Sequence, residues 1–233
     1  MARRFFGRAW WSLACVLLGV VFALGGIVST AAGFHAYTVS SESMSPTFAP
    51  GELLVGQHGV AGQLRRGDLV LVRPPAGWGI GTEPILRRVI GTGGDRVSCC
   101  SAGRVVVDGQ PLSEPYASSA NGGMPDYSVS VPKDGLFLLG DNRADSMDSR
   151  MFLMQDQGSA PADAVVVRVV WTAKGGFLTG SGSLVVHLVL IGVGVLLFLF
   201  GLAATLVMLL LARRRGRGAE GSSAVHAGLG TPV

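Results

Sequence analysis

Charge is scarce in this chain. Asp, Glu, Lys and Arg make up 15% of its 233 residues, against about 25% in soluble globular domains. That deficit excludes a wholly soluble enzyme, a disordered tail protein and a coiled coil. Lysine is almost missing: Lys133 and Lys174 are the only two, so arginine supplies 17 of the 19 basic residues. Three cysteines exclude a disulfide scaffold. Cys15 reads as a small packing hydrophobe, and the adjacent Cys99 and Cys100 read either as two thiols or as a vicinal bridge. No metal is expected, because zinc would need further ligands and the middle of the chain offers only His35 and His58, far apart in sequence. No internal repeat, phosphate-cradling loop or long amphipathic helix breaks the middle of the chain.

Charge is also unevenly placed. No Asp, Glu, Lys or Arg occurs from Ala9 to Ser41 or from Gly175 to Ala212. Ala9–Val28 is long enough to cross a bilayer, and the 28-residue Leu184–Leu211 exceeds an ordinary core helix. His187, near the start of the second run, reads as an interfacial residue. Arg3, Arg4 and Arg8 precede the first run, and Arg213, Arg214, Arg215 and Arg217 follow the second. The first run could also be a cleavable signal peptide with a twin-arginine address. Its length and the second span favour an uncleaved anchor. Positive-inside reasoning then puts both termini in the cytoplasm of a two-pass cell-membrane protein. The expected organisation is a basic N-terminus at 1–8, an anchor at 9–33, an extracytoplasmic domain at 34–183, a second span at 184–212 and a basic tail at 213–233. Without the seven terminal arginines and Glu220, 12 basic residues face 14 acidic ones. A nucleic-acid partner therefore has no electrostatic support.

The middle reads as mostly β, with short apolar runs between turn signals. Expected strands are Glu52–Gln57, Asp68–Val72, Ile85–Ile90, Arg96–Cys99, Arg104–Val107, Leu136–Leu139 and Val165–Trp171. Asp108-Gly109 reads as a hairpin turn, 117–126 as an exposed loop and 175–182 as a flexible linker. Asp68 and Asp95 follow glycines, where turn bonding by the carboxylate suffices to explain them.

Four blocks carry chemistry in this order after the anchor. They are Ser41-Glu42-Ser43-Met44-Ser45-Pro46-Thr47, Gly67-Asp68-Leu69-Val70-Leu71-Val72, Leu86-Arg87-Arg88-Val89-Ile90-Gly91-Thr92-Gly93-Gly94-Asp95 and Gly140-Asp141-Asn142-Arg143-Ala144-Asp145-Ser146-Met147-Asp148-Ser149-Arg150. Together they resemble bacterial signal peptidase I, a membrane serine protease, over roughly residues 34–171. The resemblance implies that Ser43 is the nucleophile. Ser41 and the Ser43 backbone N–H would hold the oxyanion, where preorganised donors are worth several kcal/mol. It further implies that Ser146 supports the general base, and that Asp141, Asp148, Arg150 and Arg88 hold the site together through ion pairs. Met44 reads as a packing residue.

One position departs from the family. Its general base is a lysine at the start of the third block, and here that position is Arg87. A guanidinium does not deprotonate in a protein. Neither Lys133 nor Lys174 stands at a matching position, and neither His35 nor His58 replaces the base. The resemblance implies an endopeptidase that removes signal peptides from exported preproteins after small-x-small sites, without a cofactor. Its partners would be preprotein signal peptides and membrane lipid. The alternative is a paralogue that binds signal peptides and cuts poorly; a self-cleaving repressor-type Ser–Lys protease is disfavoured by the two spans and the last block. The substrate should lie along an edge strand by β-augmentation, in a groove flanked by Ile85–Ile90 (Ile85, Leu86 and Val89 above all) and by the residues before Ser43.

Overall fold

The computed structural model describes residues 2–117, 119–178 and 182–226, with side chains described within 10–213 of that range. The Arg3, Arg4, Arg8 and Arg214–Arg217 side chains, linker residues 179–181 and tail residues 227–233 lie outside it. The chain divides into two units. One is Ala31–Leu184; the other unites the N-terminal helix up to Thr30 with the C-terminal helix from Val185.

The helical unit contains most of α1 (Ala2–Gly33) and α2, which runs Gly182–His226. Stretches of 24 and 32 residues, Trp10–Gly33 and Gly182–Arg213, are apolar and long enough to cross a membrane, and most of their surface is not covered by protein. Trp11, Val21, Leu196 and Phe200 are among the large apolar side chains left exposed, as lipid-facing residues are. The two helices meet where side chains are missing. A Cβ on Gly19 would lie 2.5 Å from the Phe198 backbone nitrogen, and one on Gly194 would lie 2.5 Å from that of Ala23. Such small residues let helices approach closely in lipid. His187 Nε2 and Ser29 Oγ are 2.8 Å apart across the same pair.

The other unit is mostly β. Its strands are β1 (Phe34–Thr38), β2 (Leu53–Gln57), β3 (Leu69–Val72), β4 (Ile85–Thr92), β5 (Arg96–Ser101), β6 (Arg104–Val107), β7 (Gln110–Pro111), β8 (Tyr127–Ser130), β9 (Gly135–Leu139), β10 (Ala160–Pro161), β11 (Val165–Thr172) and β12 (Gly176–Phe177). One sheet has the order β1-β2-β11-β3-β4-β9-β10, with β12 on β11; the second has the order β7-β6-β5-β8. The paired strands are antiparallel throughout. Only 3-10 turns, no α-helix, interrupt the strands between α1 and α2 among the described residues.

Alternation of side chains along a strand divides the core. On β3, Leu69 and Leu71 pack with Met44, Phe48 and Leu86, whereas Val70 and Val72 pack with Trp78, Val89 and Leu138. On β9, Phe137 and Leu139 join Val97, Val105 and Tyr127 of the second sheet. Both faces of β3 and β9 are therefore covered, which is why LVLV and GLFLL read as continuous apolar runs.

All seven expected strands form, each within two residues of its expected ends. The Asp108-Gly109 turn joins β6 to β7 with both residues at positive φ, as a type I′ hairpin requires. Two readings need correction. Within the expected linker, Gly176–Phe177 pairs with β11 through Trp171↔Phe177, so it is a strand. Within the expected exposed loop 117–126, Asn121 is buried, and buried arginines bind its carbonyl and that of Ala120. The apolar pattern of five strands of two to five residues was too short or too polar to read.

Candidate active site

Ser43 leaves the chain just after β1, on a 3-10 turn spanning Glu42–Met44. Met44 beside it is fully buried in the apolar cluster against Leu69 and Leu86, which anchors the turn. Two donors from a segment 100 residues away clamp the same turn. Asn142 N–H donates to Ser43 O at 3.1 Å, and Asn142 Nδ2 donates to Glu42 O at 3.2 Å. Ser43 itself is nearly buried, while Ser41 faces solvent. Their hydroxyl oxygens are 2.9 Å apart.

Arg87 arrives from β4, and its side chain is buried. Its Nη1 donates to Ser43 Oγ at 2.8 Å and to Leu86 O at 2.6 Å; its Nη2 donates to Met147 O at 2.7 Å. The guanidinium thus spans strand, Ser43 and loop. Burial lowers its pKa from an ordinary arginine value; Asp148 acts in the opposite direction, and Arg150 reinforces the lowering. A donor held against Ser43 Oγ makes that oxygen an acceptor. With a second lone pair and one hydrogen left, Ser43 Oγ can either donate to Ser41 Oγ or accept from it.

Ser146, the residue expected to steady the base, lies close by but is unserved: its buried Oγ has no hydrogen-bond partner. Gly140 makes room for it. A Cβ there would lie 2.1 Å from Ser146 Oγ and 2.6 Å from Ser43 O, so a larger residue would drive the loop off Ser43.

The expected ion pairs form, in two separate couples. Arg88 grips Asp141 with Nε at 2.8 Å and Nη2 at 2.5 Å, while Thr47 Oγ1 donates to the same carboxylate at 2.6 Å. Arg150 grips Asp148 with two bonds of 2.8 Å, and Gly140 N–H donates to that carboxylate at 3.0 Å. Sequence reasoning missed a third couple. Arg143, with no exposed side chain, binds Glu114 at 2.6 Å and the carbonyls of Gly140 and Ala120. Burial disfavours its charge, Glu114 more than offsets this, and its pKa is raised. Arg143, Asn142 and Thr47 lie inside the motif blocks, so their presence is a signal; Glu114 carries none. Tyr116 lies 3.9 Å below the Arg88 guanidinium, also without a signal.

The expected groove is corrected in part. β4 is an interior strand, paired to β3 from Ile85↔Val72 to Arg88↔Leu69 and to β9 only from Arg88↔Leu139 onward. Ile85–Arg87 therefore has a strand on one side only, next to Ser43. Val89 lines no groove, because it is fully buried with Val70, Val72 and Leu138. Leu86 too is largely buried by Met44 and its neighbours, which leaves Ile85 partly exposed.

Asp68 and Asp95 accept backbone N–H bonds from Arg65 and Thr92, each three residues earlier, and both also face arginines. Lys174 is exposed and 3.5 Å from Glu52, and Lys133 lies in an exposed turn. His35 and His58, distant in sequence, meet edge to face with centroids 4.7 Å apart. Cys99 and Cys100 are joined in a vicinal disulfide.

Comparison with known proteins closes the case for the family. Residues 8–173 match the profile of the family described as signal peptidase, peptidase S26. Signal peptidase I of Leptolyngbya laminosa is 34% identical over 163 residues, covering 66% of this chain and 73% of that protein. Signal peptidase I of Mycobacterium tuberculosis is 28% identical over 185 residues, covering 59% and 63%. Signal peptidase I T of Bacillus subtilis is 34% identical over 130 residues, covering 50% and 64%. The chain thus spans less than two thirds of the length of the latter two relatives. A crystal structure of signal peptidase I from Enterococcus faecalis is 25% identical and matches 50% of this chain and 97% of that one, with a TM-score of 0.36. With the profile covering well over half of its length, this chain belongs to the signal peptidase, peptidase S26, family.

Proposed function

We propose that this protein is a membrane-anchored serine endopeptidase of the signal peptidase I type, which removes signal peptides from exported preproteins after small-x-small sites. The observation that carries the reading is the row Ser41 Oγ, Ser43 Oγ and Arg87 Nη1, with spacings of 2.9 and 2.8 Å, at the one-sided stretch of β4. An extended signal peptide adds to Ile85–Arg87 by main-chain pairing. Ser43 Oγ attacks the carbonyl carbon of the last small residue, and the Ser41 hydroxyl and Ser43 N–H hold the oxygen as it becomes negative. The C–N bond breaks, the new amine takes a proton, and water then cleaves the Ser43 ester.

Arg87 shapes the rate of this sequence. As a cation it stabilises an ionised Ser43 oxygen but takes no proton from it, so that proton passes to water. A positioned general base contributes about 10²–10⁴-fold, and the protein should be slow by about that factor. The same guanidinium supports a second reading, in which the chain binds signal peptides and scarcely cuts them.

One comparison separates the two. Initial rates of preprotein cleavage in detergent are measured for the natural protein and for Ser43→Ala, beside labelling by a serine-reactive covalent probe. The peptidase reading expects slow cleavage and labelling, both lost in Ser43→Ala. Signal-peptide binding with neither would leave the docking reading. Cleavage that survives Ser43→Ala would overturn the assignment of the nucleophile.

A further inference from the structure

The β unit buries several arginines; Arg87 has no carboxylate but is held by Ser43 Oγ, Leu86 O and Met147 O at 2.8, 2.6 and 2.7 Å, whereas Arg168 has no acceptor so close. Arg88, Arg143 and Arg150 each have a carboxylate oxygen at 2.5, 2.6 and 2.8 Å. Arg168, on β11, has a side chain only 9% exposed, and its nearest carboxylate oxygen, on Asp68, is 3.9 Å away. Its remaining contacts are long: 3.2 Å to Gln57 Oε1 and 3.4 Å to Gln63 O. Its buried Nε has no partner. A guanidinium taken out of water without a close acceptor is costly. This one lines a cavity of about 660 Å³, together with Gln57, Arg65, Asp68, Gly182 and Ser183. That volume lies within the usual range of small-molecule sites.

The position of the cavity in the chain says which ligand can reach it. Gly182 and Ser183 are the first two residues of the membrane-crossing stretch of α2, and Ser183 Oγ donates to Gln57 Oε1 at 3.1 Å. Gln57 pairs with Phe34 on one side and with Arg168 on the other. Phe34 directly follows Gly33, the last residue of the other membrane-crossing stretch. A single row across β1, β2 and β11 thus joins the points where both spans leave the bilayer, which is the depth of lipid headgroups. The amino end of α2 adds a partial positive charge there. Arg65 and Arg168 outweigh Asp68, whose carboxyl is engaged by the Arg65 N–H at 2.9 Å; burial also pushes the Asp68 pKa up.

We propose that the cavity holds the phosphate of an anionic phospholipid headgroup, with Arg168 as its principal donor, supported by Arg65 and the start of α2. Arginine is suited to this task because its fork matches two phosphate oxygens. The site lies apart from the Ser43 row and is independent of whether the protein cuts quickly, slowly or not at all.

The test uses the full-length protein in nonionic detergent, with native mass spectrometry and thermal unfolding as readouts and no activity measurement. Phosphatidylglycerol, phosphatidylcholine and inorganic phosphate are added at equal molarity. Phosphatidylglycerol should bind as one retained adduct and raise Tm. Arg168→Gln and, separately, the exposed-site variant Arg65→Gln should each weaken that binding, Arg168→Gln by at least about tenfold. Arg168→Lys should recover part of it. If Arg168→Gln fails to fold, Arg65→Gln carries the test alone. Equal retention of phosphatidylcholine, or undiminished phosphatidylglycerol binding in a folded Arg168→Gln or Arg65→Gln variant, would overturn the proposal. So would inorganic phosphate matching the lipid, because the site would then take the free anion.

Discussion

Two residues define what the proposed chemistry has and lacks. Ser146 Oγ is buried without a partner, and Arg87 bonds to Ser43, Leu86 and Met147 but not to Ser146. A lysine at position 87 would bring a shorter, titratable amine among the same hydroxyls; burial disfavours its charge and so moves its pKa toward neutrality. Arg87→Lys should raise the initial rate of preprotein cleavage by at least about tenfold, and Ser43→Ala should cancel the gain. The coupling with Ser146 is the sharper measurement. Ser146→Ala should change the natural rate by less than about threefold, because its hydroxyl makes no hydrogen bond, yet remove most of the gain in the Arg87→Lys background. Natural protein already as fast as Arg87→Lys would mean that another group takes the proton. The sequence made Ser41, Ser43, Arg87, Arg88, Asp141, Asp148 and Arg150 legible because they stand at fixed places in short blocks. It could not disclose Glu114 or Tyr116, single residues whose relevance depends on contacts across the fold, nor that Thr47 of the first block binds Asp141. Nor could it disclose that Ser146 is orphaned.

Elements built from turns carry their own electrostatics. Between β4 and β5, Asp95 accepts the Thr92 N–H at 2.7 Å and the Arg66 Nε at 2.8 Å. The Arg66 hydrogen bond, ahead of the Thr92 contacts, holds its pKa below the usual carboxylate value. A depressed carboxyl pKa contributes stability that is present above the unfolded value and is lost as pH falls through the folded one. Asp95→Asn should therefore lower Tm at pH 7 by about 2–4 °C, corresponding to about 1 kcal/mol, and by much less near pH 3. A deficit that stays constant with pH would show that packing, not charge, is lost. The neighbouring stretch Ile85–Arg87 makes a prediction about substrate. A preprotein with Leu or Phe replacing Ala at the first or third position before the cut should not be processed, and equal processing would count against pairing on that strand. Long apolar strands were legible from their pattern; β7, β10 and β12, of two residues each, have no period to read. The pattern of β4 gave a strand but not its neighbours, so an edge was inferred where β3 and, further on, β9 are paired.

At the scale of the whole molecule, two apolar helices flank one β unit. We propose, from the arginine clusters at both ends and the positive-inside rule, that both termini lie on the cytoplasmic side. Single cysteines introduced as Phe6→Cys and Ala219→Cys, in a background lacking the natural three, should resist a membrane-impermeant thiol reagent applied from outside. External labelling at either would overturn this orientation. The strand order has a consequence for how the protein is made. β11 is the hydrogen-bonded joint between β2 and β3, so the end that carries Ser43 and the end that carries Arg87 share a sheet only through Val165–Thr172. Synthesis delivers Ser43 first and this joint 122 residues later. A chain that emerges in order therefore presents Ser43 while its sheet is still in two pieces. Completion of β11, rather than synthesis of the serine, is the moment at which the two halves of the proposed site share one sheet.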